Sequence, residues 1–156
     1  MSQAILRPPT EQDRAFIMNS WLKSVSIGDV YTYIHPSVFY SNHRALIERC
    51  LEDSFIICAC DPKDPNHLFG FIVFQPKEQK IIHCIYVKRP FRNFGIGRQL
   101  VEAAFPDYTG PLTLTHLDRI NFETDRGRVK RRSVFIAQRQ RWQLNYNPYL
   151  FYYGAK

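Results

Sequence analysis

The residues that could do chemistry are concentrated in one stretch, "YVKRPFRNFGIGRQLVEAAF", which begins at Tyr86 and ends at Phe105. Within it, Arg92, Gly95 and Gly97 have the spacing Arg-x-x-Gly-x-Gly between an apolar segment and an amphipathic one. Backbone N–H groups are unpaired at the start of a helix, and glycine lets an anion approach them closely. The stretch therefore predicts either a turn that only packs or a cradle for a phosphate group.

His83 is the second residue that could do chemistry. It precedes the glycine loop on an apolar segment, four residues ahead of Val87. An imidazole with an ordinary pKa of about 6.5 can accept a proton at neutral pH, so His83 is a candidate general base. A histidine that only packs is the alternative. Glu78, in the turn before this segment, is a weaker candidate for the same role.

The four cysteines predict no metal site. Cys58 and Cys60 lie two apart in an apolar run and Cys84 follows His83, but this spacing matches no standard zinc-ligand pattern. We expect these cysteines and Cys50 to be reduced and buried as small apolar side chains, which suits a reducing cytoplasm. The sequence contains no signal peptide and no apolar run of the roughly 18 residues that a membrane span needs, so a cytoplasmic protein without a membrane partner is expected.

The net charge of +7 is confined to one segment. Between Arg126 and Arg141 there are seven Lys or Arg residues and no acidic residue, whereas the rest of the chain has 14 basic and 14 acidic residues. A local positive patch favours an anionic partner, either RNA or an acidic protein, or the phosphate rim of a bound ligand. A solvated helix face is the alternative.

Hydrophobic spacing and turn residues predict an α/β (α+β) fold. A helix joins the strand at 80–87 to the strand at 111–116, so this pair should be parallel, whereas short turns between the strands at 54–60, 68–76 and 80–87 predict an antiparallel meander. The segment between Arg126 and Arg141 could be a basic helix, but its run Val134, Phe135 and Ile136 is also typical of a strand. The predicted elements are a strand at 4–7, helices at 11–24 and from Pro36, the three meander strands, a helix at 97–105, a strand at 111–116, and a closing strand in "NYNPYLFYY" with Pro148 at an edge or bulge.

Residues 86–105 resemble the acetyl-CoA-binding motif of the GCN5-related N-acetyltransferase (GNAT) family. Arg92, Gly95 and Gly97 occupy the positions of its Arg/Gln-x-x-Gly-x-Gly/Ala signature, and "ILRPPTEQDRAFIMNSWL" is similar to the opening strand and helix of the family. The resemblance implies one GNAT-like domain over residues 1–156, with a basic divergent C-terminal segment at 117–156. Its mixed central sheet would have about six or seven strands flanked by helices, with a βαβ crossover at the glycine loop. The tail containing "YNPYL" resembles short acetyltransferase-like proteins of tailed bacteriophages.

The same resemblance implies a binding site for acetyl-CoA, the acyl donor of the family. Backbone groups of Ile85, Tyr86 and Val87 would pair with the pantetheine arm as an added strand would. The loop and the first turn of the following helix would hold the pyrophosphate through Arg92, Asn93, Phe94, Gly95, Ile96, Gly97 and Arg98.

The catalytic residues are less well marked. Some family members, notably arylalkylamine acetyltransferases, carry a histidine at the position of His83, and many others use a glutamate where this chain has Ile81. The family's tyrosine-containing segment is missing, with Ala137 in the tyrosine's place, so Tyr146 is the candidate general acid. The acceptor pocket is expected to include Tyr31, Tyr33 and His35.

The resemblance implies an N-acetyltransferase acting on a primary amine of a protein lysine or N-terminus, an aminoacyl-tRNA or a small molecule. The alternative is a catalytically degraded binding protein of the same fold, which would use its basic segment to contact RNA or an acidic protein. The missing tyrosine favours the alternative, whereas the intact glycine loop favours the enzyme. A monomer or a homodimer is expected.

Overall fold

The computed structural model describes residues 3–25, 34–116, 122–125, 128–131 and 142–153. A 3₁₀ turn at Arg89–Phe91 precedes the glycine loop. The elements, in chain order, are β1 (Ile5–Arg7), α1 (Glu11–Val25), α2 (Pro36–Glu52), β2 (Phe55–Cys60), β3 (Leu68–Pro76), β4 (Lys80–Val87), α3 (Ile96–Ala104), β5 (Gly110–Leu114), β6 (Phe122–Asp125), β7 (Arg128–Arg131), β8 (Trp142–Tyr146) and α4 (Tyr149–Tyr153).

A mixed six-stranded sheet in the order β1-β2-β3-β4-β5-β8 organises the fold. The first four strands are antiparallel neighbours, which confirms the predicted meander. Strand β5 is parallel to β4, which confirms the βαβ crossover through α3, and β8 is parallel to β5. Strands β6 and β7 form a separate antiparallel hairpin. The predicted fold class is therefore confirmed.

Each face of the sheet buries its own apolar cluster because side chains alternate along the strands. Helix α3 covers one face, where Leu100 packs with Leu112 and Trp142. Helices α1 and α2 cover the other face, where Trp21 and Ile47 belong to the cluster. Burying a large apolar side chain stabilises a fold by roughly 1.5–3 kcal/mol, so these two clusters hold the sheet between its helices.

Helix α1 begins at the predicted position through contacts between Thr10 and Asp13. The Thr10 N–H donates to Asp13 Oδ2 at 2.7 Å, and the Asp13 N–H donates to Thr10 O at 3.1 Å. Arg7 Nη1 lies 2.6 Å from Asp13 Oδ2 and ties strand β1 to the helix. The Arg7 hydrogen bond lowers the pKa of the Asp13 carboxyl below its ordinary value.

The closing strand predicted in "NYNPYLFYY" is wrong in position, because the strand lies earlier and a helix follows it. Strand β8 ends at Tyr146, and Pro148 precedes the short helix α4 instead of lying at a strand edge. Proline cannot donate to a sheet but suits the start of a helix, and Asn147 Oδ1 accepts the Tyr149 N–H at 3.1 Å.

The basic segment is only partly described. Residues 128–131 form strand β7, so the predicted basic helix is wrong for this part. The strand-like run at 134–136 lies outside the described residues. Residues 126, 127 and 132–141 lie outside the described residues, so the predictions made for them are not tested. Among the described helices, none combines the length and apolarity required to cross a bilayer.

All four cysteines are free thiols in buried positions. Burial raises the pKa of Cys50 to about 11 and that of Cys58 to about 12, so both remain protonated and inert at neutral pH. The prediction of reduced, buried cysteines is confirmed.

Candidate active site at the parting of β4 and β5

Strands β4 and β5 are paired only at the start of β4. Ile81 pairs with Thr113 and Ile82 with Leu114, and the Thr115 N–H still donates to Ile82 O at 3.2 Å. At the next residue the register of β4 against β3 shifts, because Cys84 pairs with Val73 whereas Ile82 pairs with Phe74. His83 is thus the extra residue of a β-bulge. A bulge bends and twists its strand, so β4 diverges from β5 at His83.

Beyond His83, the edge of β4 is open over the described residues, and alternate backbone groups face this edge. The Lys88 N–H donates to Phe69 O at 2.8 Å, so Lys88 and, two residues earlier, Tyr86 direct their backbone groups towards β3. The intervening residues Ile85 and Val87 direct theirs to the open edge. Of the three residues predicted to pair with pantetheine, Ile85 and Val87 therefore have backbone groups at the open edge. The backbone groups of Tyr86 pair with β3 within the sheet.

The glycine loop presents unpaired backbone N–H groups. Asn93 and Gly95 have left-handed backbone angles, with φ of 70° and 82°, and Gly95 is the N-cap of α3. The first helix bond of α3 runs from the Gln99 N–H to Gly95 O at 2.9 Å. In the described part of the chain no acceptor meets the N–H groups of residues 93–98. Such consecutive N–H groups at a helix N-terminus form an anion-binding nest.

Space around Gly95 is compatible with a ligand. A Cβ built there has no atom within 4 Å, and its positive φ favours glycine. The neighbouring Asn93 and Phe94 are exposed, whereas Ile96 is buried and anchors the helix start in the core. The loop is therefore anchored in the core on one side and exposed on the other, so the residues present fit a phosphate-bearing ligand.

The two arginines of the motif already have partners. Arg92 Nε donates to Val87 O at 2.8 Å, and its guanidinium lies 6.0 Å from the centre of the Tyr86 ring. Arg98 Nε donates to Glu102 Oε1 at 3.0 Å in a largely exposed pair, which contributes little to stability. Arg92 thus donates a hydrogen bond to the last carbonyl oxygen of β4. Its contact with a phosphate stays a prediction.

His83 is buried, with 3% of its surface exposed. Its Nδ1 lies 3.0 Å from Thr115 Oγ1, and Thr115 Oγ1 lies 2.9 Å from His116 Nδ1. His116 Nδ1 also lies 3.0 Å from the backbone oxygen of His83. Burial lowers the pKa of His83 to about 4 and that of His116 to about 3, so both imidazoles are neutral at pH 7.

Two further aromatic residues enclose this histidine pair. The Trp21 ring stacks near His83 with centroids 6.4 Å apart, and the Phe151 ring lies 4.3 Å from that of His116. Trp21 Nε1 and His83 Nε2 are both buried without a hydrogen-bond partner in the described structure. We call Trp21, His83, His116 and Phe151 the aromatic cluster.

Sequence reasoning missed Thr115, His116, Trp21 and Phe151 as neighbours of His83. One signal was present, because a parallel β4–β5 pair places the end of one strand beside the end of the other, and "TH" ends the strand predicted at 111–116. The contacts of Trp21 and Phe151 depend on helix packing, which has no local sequence signal.

The structure does not bring the other predicted site residues to His83. Tyr146 is 53% exposed, and alternation from the buried Trp142 directs its side chain to the α3 face, opposite the aromatic cluster. His35 caps α2, with Nδ1 accepting the Ser37 N–H at 3.3 Å. Glu78 is exposed in the turn at the far end of β4. Tyr31, Tyr33 and Ala137 lie outside the described residues.

A family model matches residues 19–122, about two thirds of the chain, and its description is acetyltransferase (GNAT) family. The chain therefore belongs to the GNAT acetyltransferase family, as its glycine loop indicated, and acetyl-CoA is the acyl donor of this family. No curated protein sequence matches the chain.

Solved structures similar to the chain are remote relatives. A Pyrococcus furiosus protein provisionally assigned as an acetyl transferase is 20% identical, with a TM-score of 0.49 over 65% of this chain and 72% of that chain. A structure described as histone acetyltransferase HPA2 and related acetyltransferase, from Corynebacterium glutamicum, is 16% identical, with a TM-score of 0.49 over 65% and 70%. The PaiA N-acetyltransferase of Thermoplasma acidophilum, solved with coenzyme A, is 18% identical, with a TM-score of 0.45 over 67% and 70%.

Proposed function

We propose that the chain is an acetyl-CoA-dependent N-acetyltransferase that moves an acetyl group to a primary amine. The observation that carries this proposal is the run of unpaired N–H groups at residues 93–98 beside the open edge of β4. The amine acceptor belongs to a protein lysine or N-terminus, an aminoacyl-tRNA or a small molecule.

The pyrophosphate of acetyl-CoA would be held by the backbone N–H groups of the glycine loop, where the dipole of α3 adds partial positive charge. The pantetheine arm would extend along β4 and pair with the free backbone groups of Ile85 and with the Val87 N–H. The oxygen of Val87 is already engaged by Arg92, so the arm has fewer partners than the sequence predicted.

Acetyl-CoA supplies the acetyl group as a thioester. In the transfer, the amine nitrogen bonds to the acetyl carbon, the carbon–sulfur bond breaks, the amine gives up one proton, and coenzyme A departs as its thiol. His83 is the candidate catalytic residue because it lies where β4 and β5 part and its Nε2 has no partner among the described groups. A general acid is not assigned, since Tyr146 lies on the other face.

Calorimetric titration with acetyl-CoA and with free coenzyme A tests the binding proposal, and a matched pair of variants at Gly95 locates the site. Asn and Asp are nearly isosteric and both tolerate left-handed angles, so Gly95→Asn and Gly95→Asp carry similar backbone strain. Only Asp adds a negative charge beside the phosphates. We expect Gly95→Asp to bind coenzyme A on the order of tenfold or more weakly than Gly95→Asn.

Equal affinities for the two Gly95 variants, or no heat with wild-type protein that is shown to be folded, would contradict the assignment of the loop. Incubation with labelled acetyl-CoA and candidate proteins, tRNA or small amines, followed by mass spectrometry, identifies the acceptor.

A binding protein of the same fold is the second candidate, favoured by the absence of a tyrosine beside His83 in the described structure. It would bind coenzyme A without transferring label to any amine, and it would bind RNA or an acidic protein through the segment between Arg126 and Arg141. A single domain, monomer or homodimer, a cytoplasmic location and a bacteriophage origin stay predictions.

A further inference from the structure

The hydrogen-bond chain from His116 to His83 fixes where the protons lie. His116 Nδ1 is 3.0 Å from the backbone oxygen of His83, and a carbonyl oxygen can only accept. His116 Nδ1 therefore carries a hydrogen. The same hydrogen also faces Thr115 Oγ1 at 2.9 Å, so the hydroxyl cannot donate in that direction.

The Thr115 hydroxyl is left with one described acceptor for its own hydrogen. His83 Nδ1, at 3.0 Å, is that acceptor, and the described groups offer the hydroxyl no other. A neutral imidazole carries a hydrogen on one nitrogen only, so a His83 whose Nδ1 accepts must carry its hydrogen on Nε2. Burial favours the neutral form of both histidines.

The resulting Nε2–H of His83 is a buried donor without a described acceptor, and so is the Nε1–H of Trp21 in the same aromatic cluster. Native proteins satisfy nearly all buried donors, so an exception calls for an explanation such as a catalytic role or a bound group. Both orphaned nitrogens are donors, so each would be satisfied by a hydrogen-bond acceptor such as an oxygen. His83 itself is the residue at which β4 leaves β5.

We propose that Thr115 and His116 hold His83 as its Nε2–H tautomer, and that this hydrogen is donated to the thioester carbonyl oxygen of acetyl-CoA. This inference rests on the proposed acetyl transfer. A neutral donor aimed at the carbonyl oxygen stabilises the negative charge that develops there as the amine attacks. His83 then acts as a hydrogen-bond donor and not as the general base that the sequence indicates, because its lone-pair nitrogen is occupied by Thr115. The amine proton passes to solvent, and solvent returns a proton to the departing thiolate of coenzyme A.

The tautomer can be read directly from the ligand-free, full-length protein by long-range ¹H–¹⁵N NMR of ¹⁵N-labelled imidazoles at pH 7. We expect an unprotonated Nδ1 and a protonated Nε2 for His83, and a protonated Nδ1 for His116. A protonated Nδ1 on His83 would overturn the proposal. This measurement does not depend on coenzyme A, so the tautomer and the proposed function can fail separately.

Thr115→Val tests the positioning role, and Thr113→Val is its matched control. Both threonines lie on the same segment and are nearly fully buried, but Thr113 Oγ1 accepts from Gln79 Nε2 and has no described hydrogen bond to His83. We expect Thr115→Val to change the His83 nitrogen shifts and Thr113→Val to leave them unchanged. The opposite pattern would contradict the chain of hydrogen bonds.

Binding of acetyl-CoA and of free coenzyme A distinguishes the carbonyl contact from all others. We expect acetyl-CoA, but not free coenzyme A, to shift the His83 Nε2–H resonance, and acetyl-CoA to bind about fivefold more tightly. His83→Gln keeps an N–H donor and should retain part of this preference, whereas His83→Phe should lose it. No selective shift, or equal preference in both variants, would refute the donor role.

Discussion

At the scale of single residues, Arg92 makes a structural hydrogen bond that is distinct from any contact of its charge with a ligand. Its Nε hydrogen occupies the oxygen of Val87, the last residue of β4, at 2.8 Å. That bond fixes the start of the loop relative to the strand, and the loop in turn aims its N–H groups. The effect of the Arg92 charge on binding can therefore be separated by mutation from the effect of its hydrogen bond to Val87.

Two substitutions separate the two contributions of Arg92. The Nε2 of glutamine occupies the same position along the side chain as the Nε of arginine, so Arg92→Gln keeps the donor to Val87 and loses the charge. Arg92→Lys keeps the charge but places a methylene group there. We expect Arg92→Gln to bind coenzyme A within a few-fold of wild type and Arg92→Lys to bind about tenfold more weakly, measured by calorimetry. Weaker binding by Arg92→Gln than by Arg92→Lys would show that Arg92 acts by its charge.

At the scale of elements, the close approach of β3 and β4 positions the open edge. Gly70 lies opposite Val87, and a Cβ at Gly70 would lie 2.3 Å from Tyr86 O and 3.0 Å from Val87 Cα. Neither backbone atom can move unless β4 moves. The absence of a side chain at Gly70 therefore sets the position of the β4 residues at the open edge.

Gly70→Ala should disturb stability and binding together. We expect the free energy of unfolding to fall by about 1–3 kcal/mol, measured by urea denaturation, and the affinity for coenzyme A to fall with it. Ala59 lies opposite Gly70 on β2, so Ala59→Gly offers a control. The clash is with the backbone of β4, and the double variant Gly70→Ala/Ala59→Gly should therefore not recover. Recovery would show that crowding comes from β2.

Local patterns predicted most elements because their signals lie within a few residues. The meander strands, α1, α2 and the glycine loop with α3 follow from alternation, helical spacing and turn residues. The helix α4 was missed because "YLFYY" has a strand-like composition, and Pro148 marks a boundary without saying which element follows. The orientation of Tyr86 and the partners of His83 depend on register between strands distant in sequence, which a single sequence does not specify.

At the scale of the whole molecule, two neutral histidines in one buried cluster couple folding to pH. Burial lowers the pKa of His83 to about 4 and that of His116 to about 3, from a value of 6.5 for an unperturbed imidazole. The unfolded chain takes up protons on these residues below about pH 6.5, whereas the folded protein does so only near pH 4 and pH 3. Between these limits the unfolded state binds more protons, so the free energy of unfolding falls as the pH falls.

Between pH 6.5 and 5, we expect the two histidines to lower the free energy of unfolding by more than the carboxylates do. Asp13, whose pKa is lowered by Arg7, loses its contribution only at lower pH, below about 4. Each buried histidine contributes roughly 2 kcal/mol over this interval, at about 1.4 kcal/mol per pH unit. Urea denaturation at pH 7 and pH 5 measures the loss, and it should shrink in His83→Gln/His116→Gln but persist in His35→Gln, because His35 is exposed. Since only the change with pH is compared, a lower stability of the double variant does not affect the result, and an equal loss in all three proteins would show that these imidazoles titrate normally in the fold.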